Sequence, residues 1–245
     1  MNGPSPLSGQ AALVTGGAVR IGAAICRALA ARGARVVIHY RHARMEAEAL
    51  RREIAAAGGT AWTVTGELTA PGAPEAVLRA AIQAAGPLDV LVNNAAVFHK
   101  DRLSDLTVGR MEAEFAANLF APARLMSVFA AQNRPGRIVN LLDRRIAGHD
   151  TTCAPYVLTK QALAEATRLA ALEWAPRLTV NAVAPGAILP PPGAGADYLL
   201  DHAGPAPLRH ACTPEDVAAA AMFLLEQPGI TGQIIFVDGG QHLLA

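Results

Sequence analysis

Aromatic side chains are scarce in this chain, at 4% of its 245 residues, and no stripe of them interleaves with basic residues. That absence excludes a nucleic-acid surface from the expectations. Charge of one sign is also missing: 21 basic against 20 acidic residues leave a net charge of +1. The three cysteines, Cys26, Cys153 and Cys212, are odd in number and widely spaced. They form neither a disulfide framework nor a metal site, and reduced intracellular thiols are the simplest reading. No uninterrupted apolar run approaches membrane-spanning length. The opening MNGPSPLSGQ lacks the basic and apolar regions of a signal peptide. A soluble, cytoplasmic protein with no membrane, nucleic-acid or metal partner is expected.

What is present is apolar: 52% of the residues, enough for a large core. Short apolar runs alternate with alanine-rich amphipathic stretches. Strands are expected at 11–15, 35–40, 60–65, 88–92, 137–142, 177–183 and 233–237. Helices are expected at 20–32, 43–57, 73–85, 103–115, 117–132, 155–174 and 214–226. This alternation predicts an α/β fold, a seven-stranded parallel sheet with helices on both faces. Runs such as VLVNNAA and IVNLL are continuously apolar, as strands buried on both faces should be. No linker or repeat interrupts the pattern, so residues 1–245 read as one domain. The Pro- and Gly-rich stretch 187–210 is long for a connection and is expected to act as a substrate loop.

Two motifs carry chemistry. TGGAVRIG, from Thr15 to Gly22, joins a short strand to a helix. Its glycines permit close backbone approach, and the free N–H groups of the helix suit a pyrophosphate. Tyr156 and Lys160 lie four apart in a run of helical periodicity that includes Leu163, Leu169 and Leu172, so they share a helix face. A nearby ammonium favours phenolate, so Lys160 is expected to lower the Tyr156 pKa and equip it for proton transfer.

These residues, with NNAA at 93–96, Asn118 in AANLFAPA, VNAVAPGAI at 180–188 and TGQIIFVDGG, resemble the short-chain dehydrogenase/reductases over nearly the whole chain. The resemblance implies a single Rossmann-type doubly wound domain that binds NAD or NADP. It implies that Tyr156 supplies a proton, Lys160 binds the nicotinamide ribose and lowers the tyrosine pKa, and Asn118 holds a water relay. It also places the cofactor along Gly16, Arg20, Ile21 and Gly22, along Tyr40, Arg41 and His42, and along Glu67 and Leu68. Further cofactor contacts implied are Asn94, Ala95, Lys160, Pro185, Gly186 and Ile188. A homotetramer built on the helices at 103–132 and 155–174 is implied as well.

Two positions depart from most members: Arg20 stands where Gly is usual, and Asp143 where Ser is usual. Both look like the pteridine reductase branch, which includes the bacterial dihydromonapterin reductases. The stretch His39-Tyr40-Arg41-His42 and the aromatic Phe98 are similar to that branch too. The resemblance implies an NADPH-dependent dihydropterin reductase, with Phe98, Asp143, Tyr156 and Arg20 meeting the substrate. An ionised carboxylate accepts hydrogen bonds and cannot donate them, which suits an N–H-rich pterin better than a ketone. No acid follows the second strand before Glu46, while Arg20, Arg41, His42 and Arg44 supply positive charge for a 2′-phosphate, so NADPH is favoured over NADH. Other readings stay open at this stage: a short-chain reductase of another carbonyl or alcohol, or an NADP-binding protein without turnover. Asp143 could instead pair with Arg144 or Arg145, and Phe98 could be core. Cys153 reads as a loop thiol, His39 as strand-end structure, His99 as surface, and Trp62 and Trp174 as packing.

Overall fold

The computed structural model describes residues 5–190, 198–199 and 206–244. Seven strands form one parallel sheet: β1 Ala11–Val14, β2 Arg35–Tyr40, β3 Thr60–Thr65, β4 Val90–Asn93, β5 Gly136–Leu141, β6 Leu178–Pro185 and β7 Ile234–Val237. Their spatial order is β3-β2-β1-β4-β5-β6-β7. The order reverses between β1 and β4, and ligands of such sheets bind beyond the carboxyl ends of the strands at that point.

The period-2 alternation of strand side chains explains why the strands are apolar throughout. Val14, Val36, Ile38, Val92 and Val139 face one layer, packed with α1 Arg20–Ala31, α2 Arg44–Ala56 and α7 Pro214–Glu226. Leu13, Val37, Leu91 and Ile138 face the other, packed with α3 Ala73–Ala85, α5 Ala121–Ala130 and α6 Ala154–Trp174. Trp62 and Trp174 pack against this second layer, as expected of packing residues. Edge strand β3 exposes both of its ends.

One region differs from the sequence expectation. The helices expected at 103–115 and 117–132 are a single run: α4 Val108–Phe115 continues through a π turn, Ala116–Phe120, into α5. Leu103–Asp105 is a separate 3₁₀ turn. Thr107 caps α4 by accepting the Arg110 N–H at 3.3 Å. The π turn has a local cause in Pro122, which has no N–H to return to the carbonyl four residues back, that of Asn118. Such turns inside α-helices often mark functional sites. Much of the expected substrate loop, 191–197 and 200–205, lies outside the described residues.

Candidate active site

The glycine turn forms one wall of the switch-point crevice. Gly16 has φ +60°, and a Cβ there would stand 3.1 Å from Ala95 Cα. A Cβ on Gly22 would lie 2.3 Å from the Gly16 carbonyl oxygen, so the helix can start this close to the turn only without a side chain. Thr15 and Asn94 lock the turn to β4. Thr15 Oγ1 accepts the Asn94 and Ala95 N–H groups at 2.9 and 3.0 Å, and Asn94 Nδ2 donates to the carbonyls of Thr15 and Gly16. His39 serves the same turn, as the strand-end structure expected. It is buried, its Nδ1 accepts the Gly16 N–H at 3.2 Å, and its Nε2 lies 3.1 Å from the Gly66 carbonyl. That pattern assigns the proton to Nε2, and burial lowers the pKa and keeps the ring neutral.

The crevice is a cavity of about 360 Å³ that brings together Gly16, Arg20, Ile21, Gly22, Arg41, Glu67, Leu68, Asn94 and Ala95. At its outer end Arg41 Nη1 pairs with Glu67 Oε2 at 2.9 Å. Tyr40 packs instead against the core layer of α1, and His42 is exposed beyond the lining. Arg20 is the only described residue within this turn that is not glycine yet has a positive φ, +55°. Its guanidinium does not join the Arg41 end. It donates to the carbonyls of Pro190 at 2.9 Å and Leu189 at 3.2 Å, strapping the turn to the chain after β6. Gly186 and Ile188 line a separate cavity of about 190 Å³ beside Asp238 and Gln241, and Pro185 pairs with Val237 of β7.

Tyr156 sits in the first turn of α6, with Lys160 one turn on, both buried. Asp143 follows β5 and caps the 3₁₀ turn Arg144–Ala147 by accepting the Arg145 N–H at 2.9 Å. Tyr156 Oη donates to Asp143 Oδ2 at 3.2 Å. Arg145 Nη1 lies 3.2 Å from both Asp143 oxygens, and its Nε donates to Asp150 Oδ2 at 2.8 Å. Asp143 thus does both things left open by the sequence: it pairs with Arg145 and bonds the tyrosine. Phe98 is 46% exposed, so it is not core. Its ring meets Tyr156 edge-on with centroids 4.8 Å apart, and the Arg145 guanidinium lies 5.5 Å from its centroid.

The expected effect of Lys160 on Tyr156 is not what the structure shows. Burial pushes the Tyr156 pKa well above its usual value, and the Asp143 charge and hydrogen bond push it further, with Arg145 opposing. Lys160 donates to the Leu141 carbonyl at 2.8 Å, 5.6 Å from the centroid of the tyrosine ring. Burial brings the lysine itself down to about 8, against the opposing charges of Asp143 and Glu114. Tyr156 is therefore a phenol that holds its proton, the state a proton donor needs.

Asn118, in the π turn, is buried and clamps the chain after β4. Its Oδ1 accepts the Val97 N–H at 2.9 Å and its Nδ2 donates to the Val97 carbonyl at 3.0 Å. Sequence reasoning named Arg145 as a partner of Asp143 without giving it a place at the site, and it missed Glu114. Glu114 is fully buried, accepts from Asn118 Nδ2 at 2.6 Å and meets His99 Nδ1 at 2.7 Å. His99 is thus tied down rather than simply surface. The signal was available: Glu114 precedes Asn118 by four on a helix, and Arg145 follows Asp143 by two. Cys153 is buried beside this site, and burial raises its thiol to about 11, in keeping with an inert role.

A switch-point crevice floored by glycine, in a fold that also carries a buried Tyr/Lys pair on α6 beside Asp143, defines an oxidoreductase of Rossmann type. The chain belongs to the short-chain dehydrogenase/reductase family: the family model described as enoyl-(acyl carrier protein) reductase matches residues 16–242. The chain is 34% identical to FolM alternative dihydrofolate reductase 1 of Brucella canis, solved in complex with NADP, over 97% of this chain and 95% of that one, with a TM-score of 0.91. An uncharacterized oxidoreductase of Mycobacterium tuberculosis is 35% identical over 96% of this chain and 92% of its own. The 3-oxoacyl-[acyl-carrier-protein] reductase of Synechocystis is 33% identical, covering 96% and 97% respectively.

Proposed function

We propose that this oxidoreductase uses NADPH to reduce a dihydropterin to a tetrahydropterin. The observation that carries the reading is the Tyr156–Asp143 hydrogen bond beside an exposed Phe98. The crevice fits a dinucleotide, since its glycine cradle is space that a Cβ would fill and its outer end carries Arg41. NADPH, when bound, supplies hydride. Tyr156, held protonated, donates the proton to the reduced ring. Asp143 accepts N–H groups of the pterin edge, and Arg145 keeps its carboxylate in place. Phe98 offers the exposed part of its ring for stacking. Arg41 meets the 2′-phosphate, for which its guanidinium exchanges Glu67. The similarity to a dihydrofolate reductase solved with NADP supports both substrate class and cofactor.

A second reading, reduction of another carbonyl, is favoured by the 3-oxoacyl reductase relative. The residue type at 143 opposes it, because a carboxylate repels a developing alkoxide where a hydroxyl would donate to it. The test is loss of NADPH absorbance with dihydropterins, dihydrofolate and simple ketones side by side. Pterin turnover with a strong preference for NADPH over NADH is expected. Turnover of ketones alone would leave the second reading. We also propose one catalytic domain over 1–245, a cytoplasmic location, and a homotetramer formed through the helical run from α4 to α5 and through α6, with Val108 of α4, Phe120 of the π turn, and Leu169 and Leu172 of α6 exposed.

A further inference from the structure

The segment after β4 carries Phe98 and belongs to no helix or strand. The ring makes an edge contact with Tyr156 and lies under Arg145, while nearly half of it is exposed. Packing alone therefore does little to place it. Its neighbours in the chain are fixed firmly. Val97, on one side, is bonded through both backbone groups to the Asn118 amide. His99, on the other, donates its backbone N–H to Glu114 Oε1 at 3.0 Å and brings its ring Nδ1 to the same oxygen at 2.7 Å. Glu114 Oε2 takes the Asn118 Nδ2 at 2.6 Å. One fully buried carboxylate thus ties together both flanks of Phe98.

We propose that Glu114 is a positioning residue that sets the place of the Phe98 ring, and through it the binding of the aromatic substrate. The inference rests on the reading of Phe98 as the ring that stacks on substrate. The site requires a carboxylate. Every group facing it is a donor: the Asn118 NH₂, the His99 N–H and, by the same logic, His99 Nδ1–H. A carboxylate offers acceptors at both oxygens, whereas a carboxamide turns an NH₂ toward one of those donors. A buried donor without a partner is costly, so the segment is expected to move rather than keep that contact. Arginine, lysine and aspartate do not substitute, by charge or by reach.

Glu114→Gln is the test, assayed at about pH 6.5, where Lys160 keeps its proton. The expected result is a KM for the dihydropterin raised roughly tenfold, the scale on which misplacing a contacting group acts, with kcat within about twofold and NADPH affinity unchanged. Amide hydrogen exchange at Val97–His99 is expected to quicken, a readout that needs no substrate. In a Phe98→Ala background the same change is expected to add nothing further to KM, because the ring it positions is gone. Unchanged exchange would overturn the proposal, as would a full KM effect in the Phe98→Ala background or a loss confined to kcat. Should Glu114→Gln fail to fold, His99→Ala removes only the ring contact. It is expected to raise KM a few-fold and quicken exchange, and no change in either would overturn the idea. A wild-type protein that turns over no pterin would remove the proposed function alone, with exchange still deciding whether Glu114 holds the segment.

Discussion

Asp143 and Tyr156 share one hydrogen bond, and the proton in it lies on the tyrosine because burial and the neighbouring carboxylate both oppose phenolate. Tyr156→Phe is expected to lower kcat/KM by on the order of a hundredfold or more, the range for a lost general acid, while NADPH still binds. Asp143→Ser is expected to lose pterin turnover on a similar scale and to gain ketone turnover, since a hydroxyl can donate to a carbonyl oxygen. Equal pterin turnover in the two proteins would remove the carboxylate from the mechanism. Lys160 gives the pH dependence. Burial depresses its pKa to about 8, so it is charged below that pH and neutral above, and kcat/KM is expected to fall as pH rises through about 8. Its effect on stability has the opposite sign. The unfolded lysine, with a pKa near 10.4, binds a proton that the folded one has released between about pH 8 and 10.4, so stability rises with pH across that window and the contribution is a cost below it. Urea midpoints of wild type against Lys160→Met across that window check the sign.

At the scale of elements, the turn between β1 and α1 leaves no room for a side chain. Gly22→Ala places a Cβ 2.3 Å from the Gly16 carbonyl oxygen, which is backbone and cannot rotate away. A loss of about 1–3 kcal/mol of stability and a weakened NADPH affinity are expected, read by thermal unfolding and fluorescence titration. Arg41 stands where β2 ends, paired with Glu67. Arg41→Ala is expected to weaken NADPH binding by roughly tenfold or more, the worth of a charge-assisted hydrogen bond, while leaving NADH binding nearly unchanged. Equal losses for both cofactors would argue against a 2′-phosphate contact. The strands and most helices were legible in the sequence, because buried parallel strands must be continuously apolar and their covering helices amphipathic. The π turn at Ala116–Phe120 was not legible, since it depends on how Pro122 and Asn118 settle within one long helix rather than on apolar periodicity.

For the whole molecule, the outward face of α6 raises the question of assembly. Leu163 is buried, whereas Leu169 and Leu172 of the same helix are exposed, Leu172 by 81%. Two large exposed apolar side chains three residues apart on one helix share a face, and that face is the one to test for contact with another copy. Light scattering is expected to give four times the 25.4 kDa chain, and Leu169→Glu with Leu172→Glu a smaller species of unchanged fold. An unchanged mass would place the interface elsewhere.

The amino-acid order alone determined the sheet, the glycine turn, the Tyr156/Lys160 spacing and the choice of Asp143, because each is a matter of local pattern or residue chemistry. Tertiary structure decided what those groups face. It turned Arg20 away from Arg41 toward the Leu189 and Pro190 carbonyls, gave Asp143 to Arg145 and Tyr156 together, and raised the tyrosine pKa where spacing to a lysine had implied the reverse. It also brought Glu114 beneath the segment that holds Phe98. Burial and the direction of each hydrogen bond arise only when distant segments pack, and pKa values and ring positions follow from those two things.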